Sequence, residues 1–470
     1  RERDNVCVER HTPVEFAFTV SFHIIFPTIS IGLAAFLAIT EGLYLKTKDE
    51  LYLRIYRFWL NIFAMSFAIG VVTGIVLSFE FGLGFAKFAQ LAGPVIGPLI
   101  GLEVLTAFFL EAGFLGVMLF GMHRVGPKLH FFATCMVSIG TIISASWILA
   151  ANSWMQTPDG VVWEDGKLLV TSWLDVIVNP SWPVRTPHMI MAAFLTGSFL
   201  VAGIGAHYLL KGQHLDFAKR TVSMGLGFAT VLIAVQLLLG DLLYGKMVEH
   251  QPAKMQAAEG YWEEQSPSPA EYLWFIIPDE ENERNVVQFG TPYLGSIWLT
   301  HSLEGRIEGL KNTPAGERPN MAWVFFSFRL MFVIAIAMFA CVVISIYLRS
   351  RGRLYDSRWF HRILVVMTPT GVFATLGGWY TAEIGRQPYV IYGMLRTSDA
   401  VSPVPASTLL TTLIAFVCIY AVFMAAFLFF TARLIKNGPQ DAALQSQARA
   451  LQADPHSSRS GDPATASSKV

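Results

Sequence analysis

The chain has 470 residues, of which 53% are hydrophobic and only 14% charged, with 36 Phe and a formal net charge of +0. With a mean hydropathy of +0.48, this composition excludes an ordinary soluble domain. No basic face of the kind that binds a phosphate backbone is present, which argues against a nucleic-acid partner. The fold class is therefore all-α: a polytopic membrane protein of about nine transmembrane helices.

A spanning helix needs roughly 20 mostly apolar residues, and such windows fall at 16–40, 57–85, 93–122, 130–152, 187–210, 220–243, 322–348, 362–384 and 407–433. The chain opens on Arg1, without a methionine and without the charged-then-apolar pattern of a cleavable leader, so a missing or altered true N-terminus is expected. His23 lies in the first window within SFHIIFP, Glu80 in the second within LSFEFG, and Glu103 and Glu111 in the third. His188 opens the fifth, Met331 lies in the first turns of the seventh, and Glu383 closes the eighth. Ionisable groups in hydrocarbon are costly, so each is a functional-site candidate. Cys135, Cys341 and Cys418 sit in apolar windows and Cys7 stands near the start, which leaves no disulfide framework and no CxxC site.

These windows divide the chain into residues 1–243 with six helices, a connection at 244–321, residues 322–436 with three helices, and a tail at 437–470 whose polar, low-complexity composition predicts disorder. The long connection holds Lys254, Glu259, Tyr261, Trp262 and the turn-rich QSPSPAEY, and a loop of that length usually carries function. Lys and Arg crowd the connections after the first, third, fifth and seventh windows. By the positive-inside rule those connections are cytoplasmic, with the N-terminus outside and the C-terminus inside.

That topology brings His23, Glu103, His188, Met331 and Glu383 to the outer half of the membrane, with Glu111 about two turns deeper. Imidazole and thioether are the usual axial ligands of a low-spin haem, so His188 and Met331 make a plausible pair, against the plainer readings of an interfacial histidine and a packing methionine. His23 is an intramembrane histidine without an adjacent titratable partner in the sequence. Glu103 and Glu111 suit proton handling, because burial favours the protonated carboxyl. Arg386, in GRQPY, has the planar fork that clamps a carboxylate such as a haem propionate, although an ordinary interfacial arginine reads the same way.

The segments FAFTVSFHIIFPTISIGLAAFLAI, LEVLTAFFLEAGFLGVMLFG, SWILAANSWMQTP, FRLM and GGWYTAEIGRQPY resemble subunit I of the cytochrome bd-type quinol oxidases over essentially the whole membrane region. The resemblance implies a copper-free terminal oxidase of the bacterial cytoplasmic (inner) membrane that oxidises quinol at the outer face and reduces dioxygen to water, generating a proton motive force without pumping. It implies a low-spin haem b held by His188 and Met331, a high-spin haem b, and a haem d or a further haem b in its place. His23 and Glu383 match ligands in the high-spin region, and Glu103 a carboxylate at the oxygen-reducing haem. Trp379 matches a tryptophan between haems, Arg329 and Arg386 match residues near the propionates, and Lys254 and Glu259 match the quinol-binding Q-loop. Glu111 with Ser144 would supply steps of a proton path from the cytoplasm. Implied partners are subunit II in a heterodimer and a small single-span subunit. The short outer loop, and Tyr389 where tryptophan is usual, resemble a cyanide-insensitive branch. Pro13 and Glu80 depart from the family pattern.

Two other classes use buried carboxylates or histidines. A secondary transporter usually shows repeats and mid-membrane helix breaks, and no clear repeat is seen; a di-haem membrane anchor of a dehydrogenase would need neither Glu383 nor paired Glu103 and Glu111.

Overall fold

The computed structural model describes residues 2–264, 269–402 and 404–439. The predicted disordered tail beyond 439 and the start of QSPSPAEY lie outside these residues, and side chains are described from residue 14 onward except at 81–83, 107–108 and 406, which leaves the Cys7 and Pro13 side chains outside as well.

The elements in chain order are α1 (Glu2–Thr47), α2 (Glu50–Leu83), α3 (Ala86–Glu103), a π turn (Val104–Phe108), α4 (Phe109–Phe120), α5 (Pro127–Gln156), β1 (Val161–Glu164), β2 (Lys167–Val170), α6 (Trp173–Ile177) and α7 (Trp182–Lys211). There follow α8 (Leu215–His250), α9 (Pro252–Glu259), β3 (Tyr272–Asp279), β4 (Arg284–Thr291), α10 (Leu294–Thr300), α11 (Met321–Ser350), α12 (Arg358–Met367), α13 (Thr370–Ile384), β5 (Tyr389–Ile391), β6 (Leu395–Arg396), α14 (Thr397–Ala400) and α15 (Ala406–Asn437). Among the described residues, nine helical stretches are long and apolar enough to cross a membrane, matching the nine predicted windows. Their ends follow local chemistry. The Asp49 carboxylate accepts from the Leu51 amide at 2.9 Å to start α2, Asn320 accepts from the Trp323 amide at 3.0 Å to start α11, and Gly212 closes α7 at φ 67°, a left-handed value that favours glycine.

Three antiparallel hairpins, β1–β2, β3–β4 and β5–β6, were not foreseen from the sequence. All lie in connections at one end of the alternating helices, called here the hairpin end; the opposite, basic end has short links. The predicted connection at 244–321 is shorter than expected, because α8 continues to His250. The eighth span is also not one helix: it breaks between α12 and α13 at Pro369, whose ring cannot continue the backbone hydrogen-bond ladder.

α1 and α7 form the centre, with 61% and 67% of their apolar windows buried, whereas the windows of α15 and of α3–α4 are only 11% and 12% buried and face outward. The α1–α7 crossing is set by two glycines. A Cβ on Gly32 would sit 2.4 Å from the Ala193 carbonyl, and one on Gly197 would sit 2.8 Å from the Gly32 carbonyl carbon. Around this crossing Phe26, Leu33, Tyr56, Trp59, Phe63, Val201 and Tyr208 make one packed cluster. Gly32→Val or Gly197→Val should therefore destabilise the fold by about 1–3 kcal/mol, the usual cost of overpacking. Thermal unfolding in detergent checks this, with Gly93→Ala, which meets nothing within 4 Å, as the neutral control.

Candidate active site

Glu383, in the last turn of α13, anchors a buried polar cluster at the hairpin end. Its Oε1 accepts from Asn152 Nδ2 at 2.9 Å and from Gln156 Nε2 at 3.0 Å, both on α5. Its Oε2 accepts from Arg386 Nη2. The Lys254 ammonium on α9 donates to the side-chain oxygens of Gln156 and Gln251, and Gln251 Nε2 donates to the Gln156 carbonyl at 2.9 Å. Arg185, on the first turn of α7, is 7% exposed, places Nη2 at 3.1 Å from Met247 Sδ, and lies within electrostatic reach of Glu383, Arg386 and Lys254. Three cationic side chains thus share one carboxylate in a buried site. Lys254 responds as expected: burial, then Arg185 and Arg386, hold its ammonium well below the usual amine range, with Glu383 opposing.

Glu259, at the other end of α9, belongs to a second network. Its Oε2 accepts from Arg329 Nη2 at 2.8 Å, and Arg329 Nε donates to the Leu273 carbonyl at 2.7 Å. The guanidinium lies 4.4 Å from the Tyr272 ring centroid and 4.5 Å from that of Phe325. Burial pushes the Glu259 carboxyl up and Arg329 pulls it back. The two loop residues predicted together are thus held apart, Lys254 beside Glu383 and Glu259 beside Arg329.

Three of the four candidate iron ligands, His23, His188 and Met331, each face a glycine on a neighbouring helix. A Cβ on Gly74 would lie 3.2 Å from His23 Cε1, one on Gly240 would lie 3.5 Å from His188 Cε1, and one on Gly378 would lie 2.9 Å from Met331 Sδ. His188 on α7 and Met331 on α11 belong to helices that both pack against α8 and α13. His23, which has no titratable neighbour in sequence, is oriented by Thr73, whose Oγ1 is 2.9 Å from Nδ1. Trp379 is half-buried on α13 beside Gly378.

The π turn explains how Glu103 and Glu111 come to one side. It accommodates one extra residue, so the offset of eight advances like seven residues of α-helix, about two turns. Both carboxyls then meet α5: Ser144 Oγ donates to Glu103 Oε1 at 2.8 Å, and Gly140 leaves the space that Glu111 occupies, since a Cβ there would lie 2.7 Å from Glu111 Cγ. The same face of α5 carries His130, Thr134, Ser138 and Thr141 toward the basic end. There His130 Nδ1 lies 2.6 Å from Glu41 Oε1, Thr134 donates to Glu41 Oε2 at 2.6 Å, and the Tyr56 hydroxyl is 3.1 Å from Thr134. Glu41, His130, Arg185, Asn152, Gln156 and Gln251 were not singled out in the sequence. The signal for the α5 members was available as the i, i+4 polar spacing of His130, Thr134 and Ser138 and of Asn152 and Gln156 within an otherwise apolar span.

The residues fit a propionate-bearing tetrapyrrole. Arg386 Nε and Nη1 and Arg185 Nε are buried donors without hydrogen-bond partners, which matches the need of anionic carboxylates for guanidinium donors. His188 Nδ1 is likewise buried and unpartnered, and the three facing glycines leave room for flat groups beside His23, His188 and Met331.

The profile of the family described as cytochrome bd terminal oxidase subunit I matches residues 13–439, and the chain belongs to that family, whose members are subunits of multi-subunit respiratory oxidases. It is 36% identical over 437 residues to the cytochrome bd ubiquinol oxidase subunit 1 of Bacillus subtilis, covering 91% of this chain and 93% of that protein. It is 30% identical over 500 aligned positions to the cytochrome bd-II ubiquinol oxidase subunit 1 of Escherichia coli, covering 92% and 97%. Its fold is similar to the bd oxidase structure from Geobacillus thermodenitrificans, with a TM-score of 0.85, 29% identity, and coverage of 93% of this chain and 100% of that one. The family assignment is consistent with a terminal quinol oxidase and implies haem cofactors.

A pH dependence follows from Lys254. Its folded value is depressed, so its contribution to stability is present above the ordinary amine value of about 10.4 and is lost as pH falls through the depressed one. Lys254→Met should therefore flatten the loss of thermal stability on acidification, measured by thermal unfolding of the detergent-solubilised chain across pH.

Proposed function

We propose that this chain is the haem-carrying subunit of a copper-free quinol:oxygen oxidoreductase of the bacterial inner membrane, with the hairpin end outside. The observation that carries this reading is the buried surplus of positive charge around Glu383, with unpartnered donors on Arg185 and Arg386. A site of that kind stabilises anionic carboxylates and makes little sense in a channel for cations. Bound haems would supply one-electron transfer and dioxygen chemistry.

His188 and Met331 would hold a low-spin haem b. His23 and Glu383 would serve the high-spin region, with Glu103 at the oxygen-reducing haem, of d or b type. Trp379 would lie between haems, and Arg386 and Arg329 on the propionate side. Glu259, whose Oε1 is buried and unpartnered, would accept a proton from quinol bound under the connection between α8 and α11, and Lys254 would help hold the headgroup. Oxidation there releases protons outside. Reduction of dioxygen consumes protons, and the α5 face provides their route from the basic end: Glu41 and His130, then Thr134, Ser138 and Thr141, then Glu111, Ser144 and Glu103. Opposite sidedness of release and uptake separates charge without a pump. Subunit II, and a small single-span subunit, would cover the outward faces of α15 and α3–α4. The short connection between α8 and α11 supports the cyanide-tolerant branch.

His188→Ala should abolish the low-spin band in reduced-minus-oxidised spectra and with it quinol oxidation. Glu111→Ala should slow oxygen consumption on the order of 10²-fold, the scale of a lost proton-transfer group, while leaving the low-spin spectrum intact; a fully active variant removes Glu111 from the route.

A further inference from the structure

Glu80, the carboxyl that departs from the family pattern, has a buried partner. Glu15 of α1 and Glu80 of α2 are each 5% exposed, and each leaves Oε1 buried without a hydrogen-bond partner. They lie close enough to couple electrostatically. Thr19 donates to Glu80 Oε2 at 2.6 Å, and the Thr412 hydroxyl of α15 lies beside Glu15. A separate side chain points to the same place. Tyr420 of α15, 1% exposed, stacks on Phe22 at 4.3 Å, has a buried hydroxyl without a partner, and couples to Glu80.

Among the described residues, the charges around the pair are one-sided. α1 contributes Glu15, α2 contributes Glu80, and α15 contributes only the hydroxyls of Thr412 and Tyr420. Phe16 and Phe85 close the hairpin side with ring centroids 5.3 Å apart, and Lys87 of α3 is exposed. Among the described residues, no lysine, arginine or histidine forms an ion pair with either carboxyl. Two ionised carboxylates so placed repel each other in a medium that solvates neither. A hard metal cation would relieve this but takes six or more oxygen ligands, more than these side chains supply. One proton relieves it with the groups present: it removes one charge and bridges the two carboxyls.

We propose that Glu15 and Glu80 form a proton-binding site, a carboxylic acid–carboxylate pair that holds one proton between them and exchanges it with the aqueous phase at the hairpin end. Glu15 directly precedes the apolar run of α1 that begins at Phe16 and follows the polar stretch RERDNVCVERHT, which places the pair at the membrane edge. Glu15, Thr19 and His23 recur every fourth residue on one stripe of α1, and Thr73 of α2 meets His23 from across the seam. The pair therefore stands about 12 Å along the helix from His23, at 1.5 Å per residue, as a charge set by the pH of the hairpin side.

The test is pH-difference infrared spectroscopy of the purified oxidase with its companion subunit, comparing wild type, Glu15→Gln, Glu80→Gln and Tyr420→Phe. A shared proton predicts one protonated-carboxyl band that both Gln variants abolish, while Tyr420→Phe keeps the band and moves its pH midpoint by removing the hydroxyl dipole that couples to Glu80. Haem spectra recorded on the same samples confirm that each variant is assembled. Two bands, each lost in its own variant, would overturn the proposal in favour of two independent acids. No protonated-carboxyl band, with a carboxylate band that shifts on adding Na⁺ or Ca²⁺, would overturn it in favour of a cation site.

Discussion

Arg185, Lys254 and Arg386 crowd a single carboxylate, the partly buried Glu383, and the arrangement at the hairpin end follows from that imbalance. Removing like charges from water is costly unless an opposite charge and hydrogen bonds compensate. Glutamine side chains provide part of the compensation: Gln156 and Gln251 accept from Lys254 while their amide groups donate to Glu383 and to backbone. The remaining guanidinium donors have no protein acceptor. Under the proposed function an anionic cofactor edge would complete this chemistry, and the three helices and one short helix that bring the cluster together, α5, α7, α13 and α9, would then be tied to cofactor binding.

α5 connects this cluster to the opposite end of the molecule. One face of the helix touches Glu41, Glu103, Glu111 and Glu383 in turn, by hydrogen bonds from His130, Thr134, Ser144, Asn152 and Gln156 and by the space at Gly140. Polar side chains on that face hydrogen-bond Glu41, Glu103 and Glu383, in keeping with the requirement that buried polar groups be partnered, and Glu111 fits the space that Gly140 leaves. The π turn before α4 is needed for the same reason, since a regular helix would point Glu111 about 80° away from Glu103. Glycines do complementary work, opening space beside His23, His188 and Met331 and bringing α1 and α7 into backbone contact.

The spans were legible because hydrocarbon imposes a coarse, strong rule: apolar runs mark helices, and ionisable groups within them mark candidate chemistry. His188, Glu383, Glu103 and Glu111 stood out as candidates on that basis, and Met331 by its thioether. Partnerships were not legible, because they depend on which helices touch. Nothing in the sequence shows that Lys254 turns to α5 while Glu259 turns to α11, or that Arg185 completes the charge cluster. Glu41 and His130 were missed because each sits near a span end, where a charged group looks interfacial until the other is seen beside it. The hairpins were missed because their strands are short and lie in loops whose composition signals turns more than strands, and the break at Pro369 because hydropathy averages over it.

The most direct measurement is a dithionite-reduced minus air-oxidised absorption spectrum of membranes carrying this chain with its companion subunit. A low-spin b band together with high-spin b or d-type features is the result this account predicts. A low-spin band alone would contradict it in favour of an electron-transfer anchor, and folded protein without any haem signal would contradict the reading of the Glu383 cluster itself.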